Sequence, residues 1–334
     1  IKAKIKELFS HGIIYGLTSS LQKILGFVLL PILTFYYTPT DFGIYSLLLI
    51  ASSFGGVIFY FGASSALGRF YFDEDSDIYK KEIVSTALLI TLIGALLLVL
   101  VSVLFGRYIS YTLFQSPIYY IHIILTFAGA AFGFLLTLMS LLLRYEKKSK
   151  LFMAITLVGT CVNFTITYLL LTVFNYGILA PLCGTLVSTV LSFIFLFVEK
   201  WPDLTFNLKP SRISQFLNFG IQASVTGLMF YLLDFIDRLI INDLLTMADV
   251  GIYSLGYRIG TVINIVLILP FTLIWAPIRM QYANNENNQE FVTKVFSYIT
   301  IVGFMIIVMA ILFGGEVMSL LFTNSEYEGA NKVF

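Results

Sequence analysis

Residues Asp41–Leu47 read DFGIYSL, and residues Asp249–Leu255, 208 positions later, read DVGIYSL. Residues 11–47 laid without a gap on 219–255 agree also at Gly12/Gly220, Ile13/Ile221, Thr18/Thr226, Leu25/Leu233, Phe27/Phe235, Ile32/Ile240 and Thr38/Thr246. With the six identities of the hook, the match is 13 of 37 positions. Each copy holds a long apolar stretch and the polar turn after it. Repeated membrane segments at such spacing are how many secondary transporters are built, with substrate held between the halves. The repeat therefore predicts a function along with a fold.

Composition points the same way. Apolar residues make up 58% of the 334 residues, charged residues 12%, and mean hydropathy is +0.91. An ordinary soluble domain carries roughly twice that charge. A net charge of +1 implies no nucleic-acid partner. Cys161 and Cys183 sit in apolar runs without metal spacing, which predicts buried small hydrophobes. The first apolar run is too long for a cleavable leader and lacks a small-residue cleavage site.

Spans of about 20 apolar residues fall near 11–37, 43–67, 83–105, 118–143, 151–174, 178–198, 214–241, 250–278 and 292–314, and a tenth begins near 330. The expected fold class is an all-α, polytopic membrane protein. The expected lobes are an N-lobe of six helices over 1–200, a linker over 201–213 and a C-lobe over 214–334. The C-lobe is expected to be incomplete, with its last helices missing.

Lys and Arg set the orientation. The N-terminus carries Lys2, Lys4 and Lys6. The even-numbered connections carry Arg69, Lys80 and Lys81; Arg144, Lys147, Lys148 and Lys150; Lys200, Lys209 and Arg212; and Arg279 and Lys294. The alternate connections hold only Arg107 and Lys332, so fifteen stand against two and the N-terminus is predicted to be cytoplasmic. Six spans separate the starts of the two repeat copies, so both cross in the same direction. Two parallel six-helix repeats about a pseudo-two-fold along the membrane normal follow.

Three cations, Lys23, Arg238 and Arg258, fall inside spans, where a charge costs roughly 2.5–3.5 kcal/mol. Tyr15, Ser19, Gln22 and Gly26 share a helix face with Lys23. In the seventh span Gln222, Thr226, Phe230, Asp234, Asp237 and Arg238 recur at three- and four-residue steps. One reading has Lys23, Arg258 and Arg238 meeting an anionic ligand in a cavity lined also by Tyr15, Ser19, Gln22, Gln222 and Thr226. Asp234 and Asp237 would then couple transport to protons or sodium. The other reading is structural: an aspartate pairs with Arg238 or Lys23, and Arg258 snorkels outward.

Pro31, Pro270 and Pro277 each remove a helical hydrogen bond and mark candidate hinges. Gly129/Gly133 and Gly256/Gly260 have the spacing of close helix packing. The acidic run Asp73, Glu74, Asp75 and Asp77 reads as a solvated loop, and residues 1–10 as an interfacial helix or a charged tail. His11 and His122 read as interface residues. No metal site, cofactor site or Ser/His/Asp set is found in the sequence, so no enzyme activity is expected.

The stretch Phe27–Tyr45, FVLLPILTFYYTPTDFGIY, has a proline late in its helix, a Thr-Pro turn and an acidic-aromatic-Gly-x-Tyr start. It resembles the polysaccharide transporter family, the Wzx-type flippases of the multidrug/oligosaccharidyl-lipid/polysaccharide superfamily. The stretches GASSALGRFYF at 62–72 and LLFTNSEYEGA at 320–330 are similar to that family as well. The resemblance implies two lobes around a central cavity in the bacterial cytoplasmic membrane. It implies a cargo of undecaprenyl-pyrophosphate-linked sugar, moved from the inner to the outer leaflet for surface polysaccharide such as O-antigen or capsule. Other polysaccharide assembly proteins are its implied partners. A cation-coupled multidrug exporter of the same superfamily is the alternative, and the cations Lys23 and Arg258 lean against it. A membrane-embedded polymerase needs a long external loop, which the chain lacks.

Overall fold

The structure is a computed structural model, and it describes residues 2–205, 209–263, 271, 288–322 and 325–332. Regular structure among these is entirely helical. The long helices are α1 (Lys2–Tyr36), α2 (Pro39–Tyr60), α4 (Asp77–Phe114), α5 (Tyr120–Tyr145), α6 (Ser149–Thr172), α7 (Leu179–Lys200), α8 (Pro210–Leu244), α9 (Met247–Ile263) and α10 (Asn288–Leu321), with a short α3 (Ala63–Phe70). Among the described residues eight are long and apolar enough to cross a membrane, all of these except α3 and α9. The expected eighth span, 250–278, is described only through α9 and Phe271. Pro270, Pro277 and Arg279 lie outside the described residues.

The expected second span, 43–67, is corrected. Its helix stops at Tyr60, because Phe61 and Gly62 both take left-handed backbone, at φ 52° and 59°. Gly62 is held there by its neighbour: a Cβ on it would lie 1.9 Å from the carbonyl oxygen of Gly220. The chain restarts as α3 under α8.

Helix α4, apolar through its middle, finds its inner face by side-chain size. Its 38 residues reach about 57 Å, beyond a hydrocarbon core of roughly 30 Å. Gly94, Leu98, Ser102, Gly106 and Ser110, four apart, are buried, while Leu96, Leu100, Leu104 and Tyr108 are exposed. Small and hydroxyl side chains face protein and large apolar ones face outward, the order expected where lipid replaces water.

The repeated hook is a helix start. The Asp41 carboxylate accepts hydrogen bonds from the Thr38 amide at 3.1 Å and the Thr38 hydroxyl at 2.8 Å. The Asp41 amide donates back to Thr38 Oγ1 at 3.2 Å, with Pro39 opening α2. This is a reciprocal cap that satisfies otherwise orphaned donors. Thr246 and Asp249 stand at the same positions of α9.

The chain forms two compact units, one of Ile1–Gly43 with Ala248–Phe334 and one of Ile44–Met247. In the first unit the equivalent glycines of the two hooks meet. A Cβ on Gly251 would lie 1.9 Å from the Pro39 carbonyl oxygen and 3.0 Å from the Gly43 nitrogen. Tyr327 packs its ring edge-on to Phe42 and donates its hydroxyl to the Tyr37 carbonyl at 3.0 Å. In the second unit α5 packs on α4 and α7, α6 on α7, and α8 on α3 and α4.

Candidate functional site

Helix α1 continues through Pro31, and Thr34 Oγ1 donates to the carbonyls of Leu30 and Pro31 at 3.1 Å each. The face expected to look into a cavity is graded along the helix. Tyr15 and Ser19 are half-buried, and Ser19 Oγ donates to the Tyr15 carbonyl at 2.9 Å. Gln22 and Lys23 are exposed, and a Cβ at Gly26 would meet open space. Lys23 is thus exposed on a thinly covered side of α1. Arg258, half-buried in α9, holds its guanidinium 5.5 Å from the centre of the Phe42 ring, a cation–π contact. Both cations belong to the first unit.

The α8 candidates belong to the second unit and divide. Gln222, Thr226, Phe230 and Asp237 are exposed and Asp234 is half-buried. Arg238 is buried, and its Nη1 donates to the Asp234 backbone carbonyl at 2.7 Å. Side chains at consecutive positions point about 100° apart on a helix, and here that angle separates an inward arginine from an outward aspartate.

One end of the second unit gathers charge from the connections before α4, between α5 and α6, and between α7 and α8. Buried Glu82, on α4, accepts from Lys209 Nζ at 3.0 Å and lies 3.7 Å from Arg212 Nε. The Arg212 guanidinium also covers the Tyr79 ring at 4.8 Å. Lys81 Nζ donates to the Pro202 carbonyl at 2.9 Å, and the Thr205 amide to Ser85 Oγ at 2.8 Å. Fully buried Lys200 pairs with Glu146 and with Asp203. The acidic run is paired too: Asp73 with Arg69, Asp75 with Lys80, and Glu74 with Arg212 at longer range. The hydrogen bond from Lys80 lowers the Asp75 carboxyl below its ordinary range. Arg107 lies at the other end of α4, over the Tyr120 ring. The alternation of basic connections read from the sequence is therefore a real segregation of charge between the two ends of this unit.

Two features escaped the sequence reading. The ion pairs of Glu82 with Lys209 and Arg212, and of Lys200 with Glu146 and Asp203, had only a faint signal, a carboxylate or lysine at the edge of an apolar run. The second is a cavity among α2, α5 and α7, lined by Ser and Thr hydroxyls set among Leu, Ala, Gly and Phe residues. Its signal was pairs of hydroxyl residues at adjacent or one-turn spacing, Ser52/Ser53 and Thr185/Thr189. Among the described residues no cluster of metal-ligating side chains occurs.

The family of models for "Polysaccharide biosynthesis protein" matches residues 21–330. The chain belongs to that polysaccharide transporter family. No curated protein matches it. Among solved structures it is similar to an outward-facing multidrug resistance MATE family transporter of the MOP superfamily, at 16% identity and TM-score 0.67, over 98% of this chain and 76% of that one. The inward-facing form of such a transporter is similar at 15% identity and TM-score 0.65, over 98% and 74%. A MOP superfamily transporter from Pyrococcus furiosus, whose binding pocket is described as of reverse polarity, aligns at 16% identity and TM-score 0.60, over 95% and 76%. At these identities the likeness is one of fold. Together with the family it makes this family member a multi-pass membrane transporter.

Proposed function

We propose that the protein is a flippase that carries undecaprenyl-pyrophosphate-linked sugars from the inner to the outer leaflet of the bacterial cytoplasmic membrane. The observation that carries this reading is the family match over residues 21–330 on a chain whose fold is that of MOP-superfamily transporters. The cargo fixes what the protein must supply. A pyrophosphate brings two or more negative charges into a low-dielectric layer, and fixed cations replace the water it loses. Lys23, exposed on α1, and Arg258, held on Phe42, are the residues assigned to that task. Arg238 is buried and is assigned to holding α8.

Alternating access admits the head group from the cytoplasmic side while the polyprenyl tail stays in lipid. Asp234 and Asp237 are the groups assigned to proton or sodium coupling. No covalent chemistry is required of the protein, and other polysaccharide assembly proteins supply and consume its cargo. The test is reconstitution of the full chain in vesicles, following a fluorescent polyprenyl-pyrophosphate sugar beside a cationic drug. Transfer of the lipid-linked sugar supports the flippase. Export of the drug alone would assign the chain to the exporter branch instead.

A further inference from the structure

A cavity of about 300 Å³ lies inside the second unit, among α2, α5 and α7. That is at the lower end of the range of small-molecule sites, roughly 300–1,000 Å³. Its wall is largely apolar, with Leu49, Leu125, Leu182 and the Phe134 ring; set into it are the hydroxyls of Ser52, Ser53, Thr126, Thr137, Thr185 and Thr189, and no charged side chain lines it among the described residues. Gly56 leaves room for that ring, since a Cβ there would lie 2.0 Å from it.

A hydroxyl has one proton and two lone pairs. Five of these six have committed the proton to their own helix. Ser52 and Ser53 donate to the Leu49 carbonyl, each at 2.8 Å. Thr126 donates to the His122 carbonyl at 2.6 Å, Thr137 to that of Gly133 at 2.8 Å, and Thr189 to that of Thr185 at 2.8 Å. What they retain is acceptor capacity. Thr185 is the reverse case. Thr167 donates to the Asn163 side-chain oxygen, and Asn163 donates in turn to Thr185 Oγ1, each at 3.2 Å. The relay fills an acceptor site on Thr185 and leaves its proton to give.

Acceptor oxygens could hold an alkali cation, but these do not converge on a point. Thr126 and Thr137 alone are separated by about 16 Å along α5. The arrangement suits a ligand with several hydroxyl donors, at least one acceptor and an apolar C–H face for a ring. We infer that this cavity is a saccharide subsite that takes a neutral pyranose, its hydroxyls accepting from Thr185 and donating to those back-bonded Ser and Thr oxygens that lie within one ring's reach of it. The assignment rests on the proposal that the cargo carries sugar.

The test uses the full chain in detergent and saturation-transfer NMR with free glucose, galactose, mannose, rhamnose and N-acetylglucosamine. A Cβ at Gly133 meets open space, so Gly133→Leu fills the cavity from its own wall. The expected result is contact with at least one sugar, lost in Gly133→Leu and weakened about tenfold in Thr185→Val. Ser53→Ala combined with Thr185→Val carries the same expectation if the leucine variant does not fold. No contact with any of the five sugars overturns the proposal, and so does contact that survives every variant. Thermal stabilisation by sodium over choline that Gly133→Leu abolishes, without sugar contact, makes the cavity a cation site instead. Vesicle transfer is read separately: sugar contact in a chain that transfers no lipid-linked sugar leaves the subsite standing and removes the flippase.

Discussion

Glu82 is the residue on which the charged end of the second unit turns. Its carboxylate is buried, and Lys209 and Arg212 reach it from the start of α8. Only the carboxylate side of the cluster is covered: the Lys209 side chain is more than half exposed and Arg212 also reaches Glu74, so water can solvate the cations that Glu82 would leave behind. Glu82→Ala is therefore expected to destabilise the protein by only about 1 kcal/mol, read as a lower unfolding temperature in detergent. Unchanged unfolding would mean that Lys209 and Arg212 find other partners at no cost. Arg238 carries a second lesson at this scale. Sequence periodicity placed it on the same face as Asp237, yet the structure buries one and exposes the other. A hundred degrees of helix rotation lies within the width of a face drawn from a sequence, and only packing against neighbours divides it.

At the scale of elements, the hook that opens α2 and α9 was legible because it is local chemistry. Thr38, Pro39 and Asp41 cap within four residues, and the cap needs no tertiary partner. The contact between the hooks was not legible, since it depends on how two helix starts meet. It makes a sharp expectation: Gly251→Ala places a methyl against the Pro39 carbonyl and costs about 3 kcal/mol by overpacking, measured by thermal unfolding. Normal stability would show that the helix starts part freely. Tyr327 closes the same unit. Burial first, then the nearby Asp41 and Glu326 carboxylates, raises its phenol above the ordinary value of about 10. A raised phenol contributes stability that is complete below that value and is lost as pH rises through the folded-state pKa. Alkaline unfolding should thus begin above about pH 10. Tyr327→Phe should flatten that limb while losing roughly 1 kcal/mol of stability at neutral pH. An alkaline limb unaltered by the substitution would contradict this assignment. The break at Phe61–Gly62 was hidden because the apolar run continues across it, and a run of hydropathy contains no sign of a turn set by Gly220.

At the scale of the whole molecule, the eight described spans were legible from apolar length alone. Apolar length is a sum over many residues and survives local errors. The cavity of α2, α5 and α7 was not legible, because each of its hydroxyls by itself is an ordinary back-bonded helix residue. We propose the orientation, with the N-terminus cytoplasmic, from the distribution of Lys and Arg alone. With Cys161 and Cys183 replaced, Lys150→Cys is expected to react with a membrane-impermeant thiol reagent only from the cytoplasmic side, and Arg107→Cys only from outside, both side chains being exposed. Labelling of both from one side would break the alternation of spans. The proposed task of the fixed intramembrane cations is to carry a pyrophosphate across the bilayer. It is tested most directly in vesicles holding the full chain, by timing transfer of a fluorescent polyprenyl-pyrophosphate sugar by wild type, Lys23→Ala and Arg258→Ala. Rapid transfer by wild type, falling about tenfold or more in either folded variant, is the predicted result. Transfer at the wild-type rate in both variants would contradict it.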